Sequence, residues 1–147
     1  MLQLAEKLSG PERAAATLTL SYDMRQRCRL RVELDDGREA ALRLPRGATL
    51  RDGDRLRADD GSVVEVRAAT ESVSSVYSDD PVALARACYH LGNRHTPLEI
   101  RAGRVRFAQD HVLEEMVRGL GLAVRREQAP FEPEPGAYGR QDSHTHA

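Results

Sequence analysis

At 147 residues, with 22 basic and 23 acidic side chains, the chain has room for one ordinary domain or two small ones, and its near-zero net charge gives no bulk attraction to nucleic acid or membrane. Aromatics are scarce and tryptophan is absent, so any core is aliphatic, and no apolar run of about eighteen residues exists to span a bilayer. Met1–Gly10 lacks the basic and apolar regions of a secretory signal, and Cys28 and Cys88 have no paired spacing, which argues against a disulfide framework or zinc knuckle and for a cytoplasmic protein.

In chain order, Thr17–Tyr22 reads as a short strand. From Cys28 the even positions Cys28, Leu30, Val32 and Leu34 are apolar while arginines and glutamate alternate outward, the period of a half-buried strand. Asp36-Gly37 supplies a hairpin turn into a return strand carrying Ala40, Leu42 and Leu44. Pro45-Arg46-Gly47 breaks the pattern, Asp52-Gly53 makes a turn, and Arg55–Ala58 and Val63–Val66 form another hairpin about Asp60-Gly61. Short strands at this spacing predict a small all-β unit, a sandwich or an open barrel.

Near Ala69 the pattern changes. Glu71–Tyr77 reads as a strand, and Asp79-Asp80-Pro81 as a helix start. Leu84, Ala87, Cys88 and Leu91 then form one apolar stripe, closed by Gly92. Short strands follow at Leu98–Arg101 and Val105–Ala108. A second helix spans about His111 to Leu120, with Leu113, Met116, Val117 and Leu120 on one face. Gly121 ends it, and Leu122–Glu127 is the last strand. The order β-α-β-β-α-β predicts a ferredoxin-like unit. The fold class expected is therefore α+β: a β-rich, partner- or peptide-binding domain over 1–69, a ferredoxin-like metal-binding domain over 70–135, and a disordered tail over 136–147. Beyond Pro130 the chain is already rich in proline and glycine, a composition that favours disorder as far as Ala147.

The stretch Tyr89-His90-Leu91-Gly92-Asn93-Arg94-His95 concentrates the chemistry. It holds two of the five histidines, ends a helix on glycine and delivers His95 just past that end. Imidazole suits a borderline transition metal that must later be released. A lone histidine in such a loop is also commonly a surface or capping residue, and by itself binds no metal tightly. His90 and His95 would point roughly 140° apart on a continuous helix, so they cannot share an ion within one helix; His90 reads as a partly buried helix residue. His111 sits in the first turn of the second helix with Glu115 four residues on along the same face. A helix N-terminus disfavours an added positive charge, which leaves His111 available as a ligand; the plainer reading is a surface histidine paired with Glu115. His144 and His146, two apart near the C-terminus, suit weak binding or completion of a site formed elsewhere.

Arg25, Arg27, Arg29 and Arg31 read as one outward row on a strand, without the interleaved aromatics that would stack bases. The row is either a solvated face balanced by Glu33, Asp35, Asp36 and Glu39, or a dock for an acidic partner surface. The Asp52–Asp54 and Asp59–Gly61 clusters lack the ligand register of a calcium loop and read as turns. Cys28 and Cys88 fall on apolar faces as small core residues.

The segment Arg86-Ala87-Cys88-Tyr89-His90-Leu91-Gly92-Asn93-Arg94-His95-Thr96-Pro97-Leu98 resembles the central motif of the UreE-type urease accessory proteins, which are nickel metallochaperones. Asp110-His111-Val112-Leu113-Glu114-Glu115-Met116 resembles a later family motif, and the likeness runs from the first hairpin to Pro130–Gly136. The resemblance implies a homodimer that holds Ni(II) between the His95 side chains of both subunits; in such a dimer a residue near the two-fold axis contributes twice. It implies a secondary ligand role for His111, although Gln109 stands where some relatives have another histidine. The implied partners are the urease apoprotein and its accessory proteins, including a GTPase. The chain itself has no phosphate-binding glycine loop, and no enzymatic activity is expected. The histidine tail is shorter than in many relatives, so capping the His95 site suits it better than storing nickel. Zn(II) and Cu(II) are chemically acceptable to the same ligands.

Two other classes fit the residues. A zinc-dependent hydrolase would use His95, His111 and Glu115, but neither helix offers a histidine pair at i and i+4. A metal-free two-domain interaction module would show no rise in melting temperature with nickel.

Overall fold

The computed structural model describes residues 1–136, and contacts divide the chain into one unit over Met1–Ala69 and a second beginning at Thr70. The first unit contains β1 (Leu2–Leu8), β2 (Ala16–Leu20), α1 (Tyr22–Arg25), β3 (Arg29–Glu33), β4 (Glu39–Arg43), β5 (Arg55–Ala58) and β6 (Val63–Ala68). The six strands make one sheet in the order β2-β6-β5-β1-β4-β3, so β2 and β3 are its edges. Alternation in β3 and β4 sends Leu30, Val32, Ala40 and Leu42 to the side of Leu4, Leu18, Leu50, Leu56 and Val66, an aliphatic core.

Of the two β architectures expected, the sheet adopts the open barrel, nearly closed on itself. The turn after β3 joins the two edges. The N–H of Asp35 donates to the Thr17 carbonyl at 3.0 Å, and the Asp35 carboxylate accepts from the hydroxyls of Thr17 and Thr19 at 2.6 and 2.8 Å and from the Thr19 N–H at 3.2 Å. The Thr17 hydroxyl, helped by both Thr19 donors, holds the Asp35 carboxyl below the usual carboxylate range. Asp35→Ala removes a charged acceptor from three donors at once. It should lower stability by about 1–2 kcal/mol in urea denaturation, less than a core truncation because water reaches the site. An unchanged denaturation midpoint would mean that the barrel needs no such clasp.

Two features of this unit depart from the sequence expectation. β1 lies between β4 and β5, yet a register shift between Leu4 and Glu6 breaks its period-two pattern. The arginine row is also broken. Ser21 caps a helical turn, its side chain accepting from the Met24 N–H, and the turn folds Arg25 inward. Arg25 is 0% exposed, its Nε donating to the Leu20 carbonyl and its guanidinium lying 5.7 Å from the Tyr22 ring centre, so it cannot dock a partner. Arg27 pairs with Asp23 after the turn, and of the four only Arg29 and Arg31 project outward from β3.

The second unit runs β7 (Thr70–Tyr77), α2 (Pro81–Asn93), β8 (Glu99–Arg101), β9 (Arg104–Ala108), α3 (His111–Gly119) and β10 (Arg125–Pro130). Its strands are antiparallel in the order β10-β7-β9-β8, the ferredoxin-like arrangement. Asp80 caps α2 by accepting from the Val82 and Ala83 N–H groups, and Asp110 caps α3 by accepting from Leu113. Leu84, Leu91, Leu113 and Val117 join Val76, Val105 and Phe107 in the core between helices and sheet. Leu120, expected on that apolar face, is exposed because α3 has already ended.

One charged residue shares this interface. Glu114 on α3 is fully buried and accepts from the Ser74 hydroxyl of β7 at 2.7 Å and from Arg126 of β10 at 2.8–3.2 Å. The Arg126 guanidinium, with help from Ser74, outweighs burial and holds the Glu114 carboxyl down at about 2.

The expected disorder does not begin at Pro130. Phe131 is 2% exposed, the Glu132 N–H donates to the Glu99 carboxylate at 2.8 Å, and the Glu134 N–H donates to the Leu98 carbonyl at 2.7 Å. His144 and His146 lie outside the described residues. Among the described residues, no helix is long and apolar enough to cross a membrane.

Candidate metal centre

Both helices of the second unit end in the same backbone motif. At the end of α3 the N–H of Gly121 donates to the Arg118 carbonyl and that of Leu122 to the Val117 carbonyl, with Gly121 at φ 91°. At the end of α2 the N–H of His95 donates to the Gly92 carbonyl at 2.9 Å and that of Thr96 to the Leu91 carbonyl at 3.3 Å, with His95 at φ 59°. This is the Schellman termination, whose left-handed position is normally glycine. Among the described residues His95 is the only non-glycine with positive φ.

Gly92 therefore does not close the helix, as its place in the sequence suggested. It sits in the last turn, α2 runs on to Asn93, and the left-handed position falls three residues later on a histidine. A left-handed backbone costs a side-chain-bearing residue about 1–2 kcal/mol. Histidine here gives up stability that glycine, used at Gly121, would keep. The His95 side chain is exposed at this cap.

The other candidate residues do not gather around it within one chain. His90 is half-buried on α2, its ring edge-on to Tyr89 with centroids 5.2 Å apart. His111 is the exposed first residue of α3, and Glu115 pairs with Arg118 at 3.4 Å rather than with His111. Among the described residues no three His, Cys, Asp or Glu side chains converge on a point where a metal ion could sit. The hydrolase constellation of His95, His111 and Glu115 is thus not assembled, and a metal at His95 needs donors from elsewhere. Cys28 and Cys88 are free thiols, each half-buried against its own unit's core, and burial raises the Cys88 thiol above its usual range.

The family model described as the UreE urease accessory protein N-terminal domain matches residues 3–69, and that of the C-terminal domain matches residues 71–147. The chain is 62% identical over 139 residues to the urease accessory protein UreE of Alkalilimnicola ehrlichii (strain ATCC BAA-1101 / DSM 17681 / MLHE-1), covering 95% of this chain and 85% of the relative. It is 54% identical to that of Proteus mirabilis (strain HI4320), covering 93% and 85%, and 56% identical to that of Pseudomonas putida (strain W619), covering 94% and 86%.

Proposed function

The chain belongs to the UreE family of urease accessory proteins, chaperones of urease maturation rather than enzymes, and from that premise we propose that it carries Ni(II) to apo-urease on a site made by His95 from two copies of the chain. The observation that carries the reading is the backbone at His95. A histidine occupies a left-handed cap where glycine would be more stable, and one imidazole per chain is half of a usable donor set.

A two-fold dimer supplies the other half. Support for such a seam comes from the helix that ends at His95. Tyr89 on α2 is 66% exposed and Ile100 on the edge strand β8 is 41% exposed. Leu84, Ala85 and Cys88 of α2 and Ile100 and Val105 of the β8–β9 hairpin line an apolar groove of about 530 Å³. A second copy placed on this face would cover these side chains and bring two His95 caps towards one axis.

His111 would serve as a secondary ligand, and His144 and His146 as caps on the His95 ion. The open coordination positions of a two-imidazole site let an acceptor bind before the donor lets go. Copper should bind the same nitrogen ligands more tightly than nickel, so selection rests on which ion is delivered. The barrel would dock protein partners in the cytoplasm, with Arg29 and Arg31 as its outward basic residues. Those partners are the urease apoprotein and the other accessory proteins, including the GTPase. Calorimetric titration of nickel into metal-free protein tests the reading: the tight phase should end at one ion per two chains, and a tight phase ending at one ion per chain contradicts the shared site.

A further inference from the structure

The four-stranded sheet carries its helices on one face. Ser74 of β7 meets Glu114 of α3, so Ser75 and Tyr77 face the other way. The register Tyr77↔Arg104↔Arg101 and Ser75↔Arg106↔Glu99 carries that face to the β8 edge, and Arg125, opposite Ser75, extends it to β10. One end of this face is covered. The chain leaves β10 at Pro130, opposite Thr70, and crosses as a strap, Phe131–Glu134. Phe131 is buried there, the Glu132 N–H donates to the Glu99 carboxylate, and the Glu134 N–H donates to the Leu98 carbonyl. The end at Tyr77 stays open: Tyr77 is 42% exposed, with exposed Arg125 and Arg101 on either side of it in the strand order.

The charges at this open end do not balance. Glu99 takes Arg104 at 2.6 Å and Arg106 at 3.6 Å, while Glu127 takes Arg106 at 3.4 Å and the Tyr77 hydroxyl at 2.7 Å. No carboxylate remains for the outer arginines. Among the described residues Arg101 and Arg125 form no ion pair; Arg101 donates to the Ile100 carbonyl, and Arg125 lies 5.0 Å over the Tyr77 ring. The Nε of Arg104 is buried without an acceptor among the described residues, so the row leaves one donor unmet. In a chain with a net charge of −1, this is a local surplus of positive charge.

A bare sheet face in this topology can hold single-stranded RNA, but that takes aromatic platforms on which bases stack. Among the described residues Tyr77 is the one strand aromatic facing this way, and Arg125 covers its ring. Carboxylates match the surface instead. We propose that the row Arg101–Arg104–Tyr77–Arg125 docks an extended acidic segment of a protein partner. From β10 to β8 the row crosses three strand spacings, roughly 14 Å, the length of about four extended residues. Alternate side chains of such a segment lie on one side roughly 7 Å apart, so carboxylates two residues apart reach successive arginines. Guanidinium forks bind carboxylates in a paired geometry that a diffuse charge does not require. The docking goes beyond the nickel reading and does not depend on it.

Fluorescence anisotropy tests this on the full-length, metal-free protein. The probe is a short labelled peptide of alternating glutamate and alanine, with its glutamine counterpart as control. The glutamate peptide should bind and the glutamine peptide should not. Arg101→Ala and Arg125→Ala should each weaken binding by roughly two- to fivefold, the loss of one exposed ion pair, and Arg101→Glu with Arg125→Glu should abolish it. Both side chains are exposed, so the variants keep the fold, which their melting curves check. Arg29→Ala with Arg31→Ala on the barrel should leave binding unchanged. The proposal is overturned if the two peptides bind alike, or if loss of binding follows the barrel arginines and not the row. Tighter binding of an oligouridine RNA than of the glutamate peptide would make this a nucleic-acid face and overturn it too. Arg101 also lines the apolar groove beside α2. If Arg101→Glu with Arg125→Glu instead splits a nickel-loaded dimer, the row belongs to the seam between copies and the proposal fails. Nickel binding itself should survive that double variant, so the two readings fail separately.

Discussion

Replacing His95 with glycine should make the metal-free protein more stable and its nickel-bound state far weaker. Glycine takes the left-handed cap without the clash that histidine's Cβ makes, against a smaller loss from its freer unfolded chain, a net gain of about 0.5–1 kcal/mol. For a unit of this size that is a rise of roughly 3–6 °C in melting temperature. The same change deletes one donor from each copy, so nickel affinity should fall by about 100-fold or more, beyond what loss of a supporting contact produces. His95→Ala should lose as much nickel without the thermal gain, because alanine keeps the strained Cβ. Scanning calorimetry and nickel titration on the two variants read both effects. A His95→Gly protein that melts lower, or that holds nickel as the wild type does, would separate this backbone from metal binding.

The second large effect lies at Glu114. Arg126→Ala leaves a fully buried carboxylate with the Ser74 hydroxyl and a distant Arg118 at 3.9 Å, and should be strongly destabilising at neutral pH. Glu114→Ala should cost less, about 2 kcal/mol, since Arg126 is half-exposed and turns to water while Ser74 loses its acceptor. The pH dependence tests the pairing itself. In the wild type the folded-state value of Glu114 is depressed from 4.5 to about 2, so its contribution is complete above about pH 4.5 and is lost as pH falls towards 2. Without Arg126 only the Ser74 hydroxyl and the distant Arg118 charge still oppose burial, so the folded-state value moves back up and the acid-side loss of the wild type is reduced: the cost of Arg126→Ala should be smaller at pH 3 than at pH 7. Urea denaturation followed by circular dichroism at the two pH values measures this. A loss under 1 kcal/mol, or the same loss at both, would mean that Glu114 does not depend on Arg126.

Much of this architecture is legible in the chain. The period-two runs at Leu30–Val32 and Ala40–Leu44, the Asp-Gly turns, the apolar stripe of α2 and the order of elements after Thr70 all lead to the observed barrel and ferredoxin-like unit. What escapes the sequence pattern has physical causes. A bulge hides the period of β1, and a serine cap folds Arg25 inward from what looked like a strand. Glu114 is charged on a core-facing position because its partner stands twelve residues away on a strand. The Phe131–Glu134 strap has the composition of a loose tail and is ordered by bonds to Leu98 and Glu99, more than thirty residues earlier.

At the candidate site the sequence singles out His95 but not the backbone geometry it adopts. The sequence put the helix stop at Gly92, while the stop that matters is His95 itself, visible only through φ. The proposed shared site also cannot be read from one chain, because its second half would belong to another copy.

The most direct test is the solution mass of the protein loaded with half an equivalent of nickel, measured by sedimentation at micromolar concentration together with the metal content of the sedimenting species. The account predicts a species of twice the 16.3 kDa chain mass carrying one ion, and no such ion-bearing species for His95→Gly. A monomer that retains nickel tightly across the dilution range would contradict it.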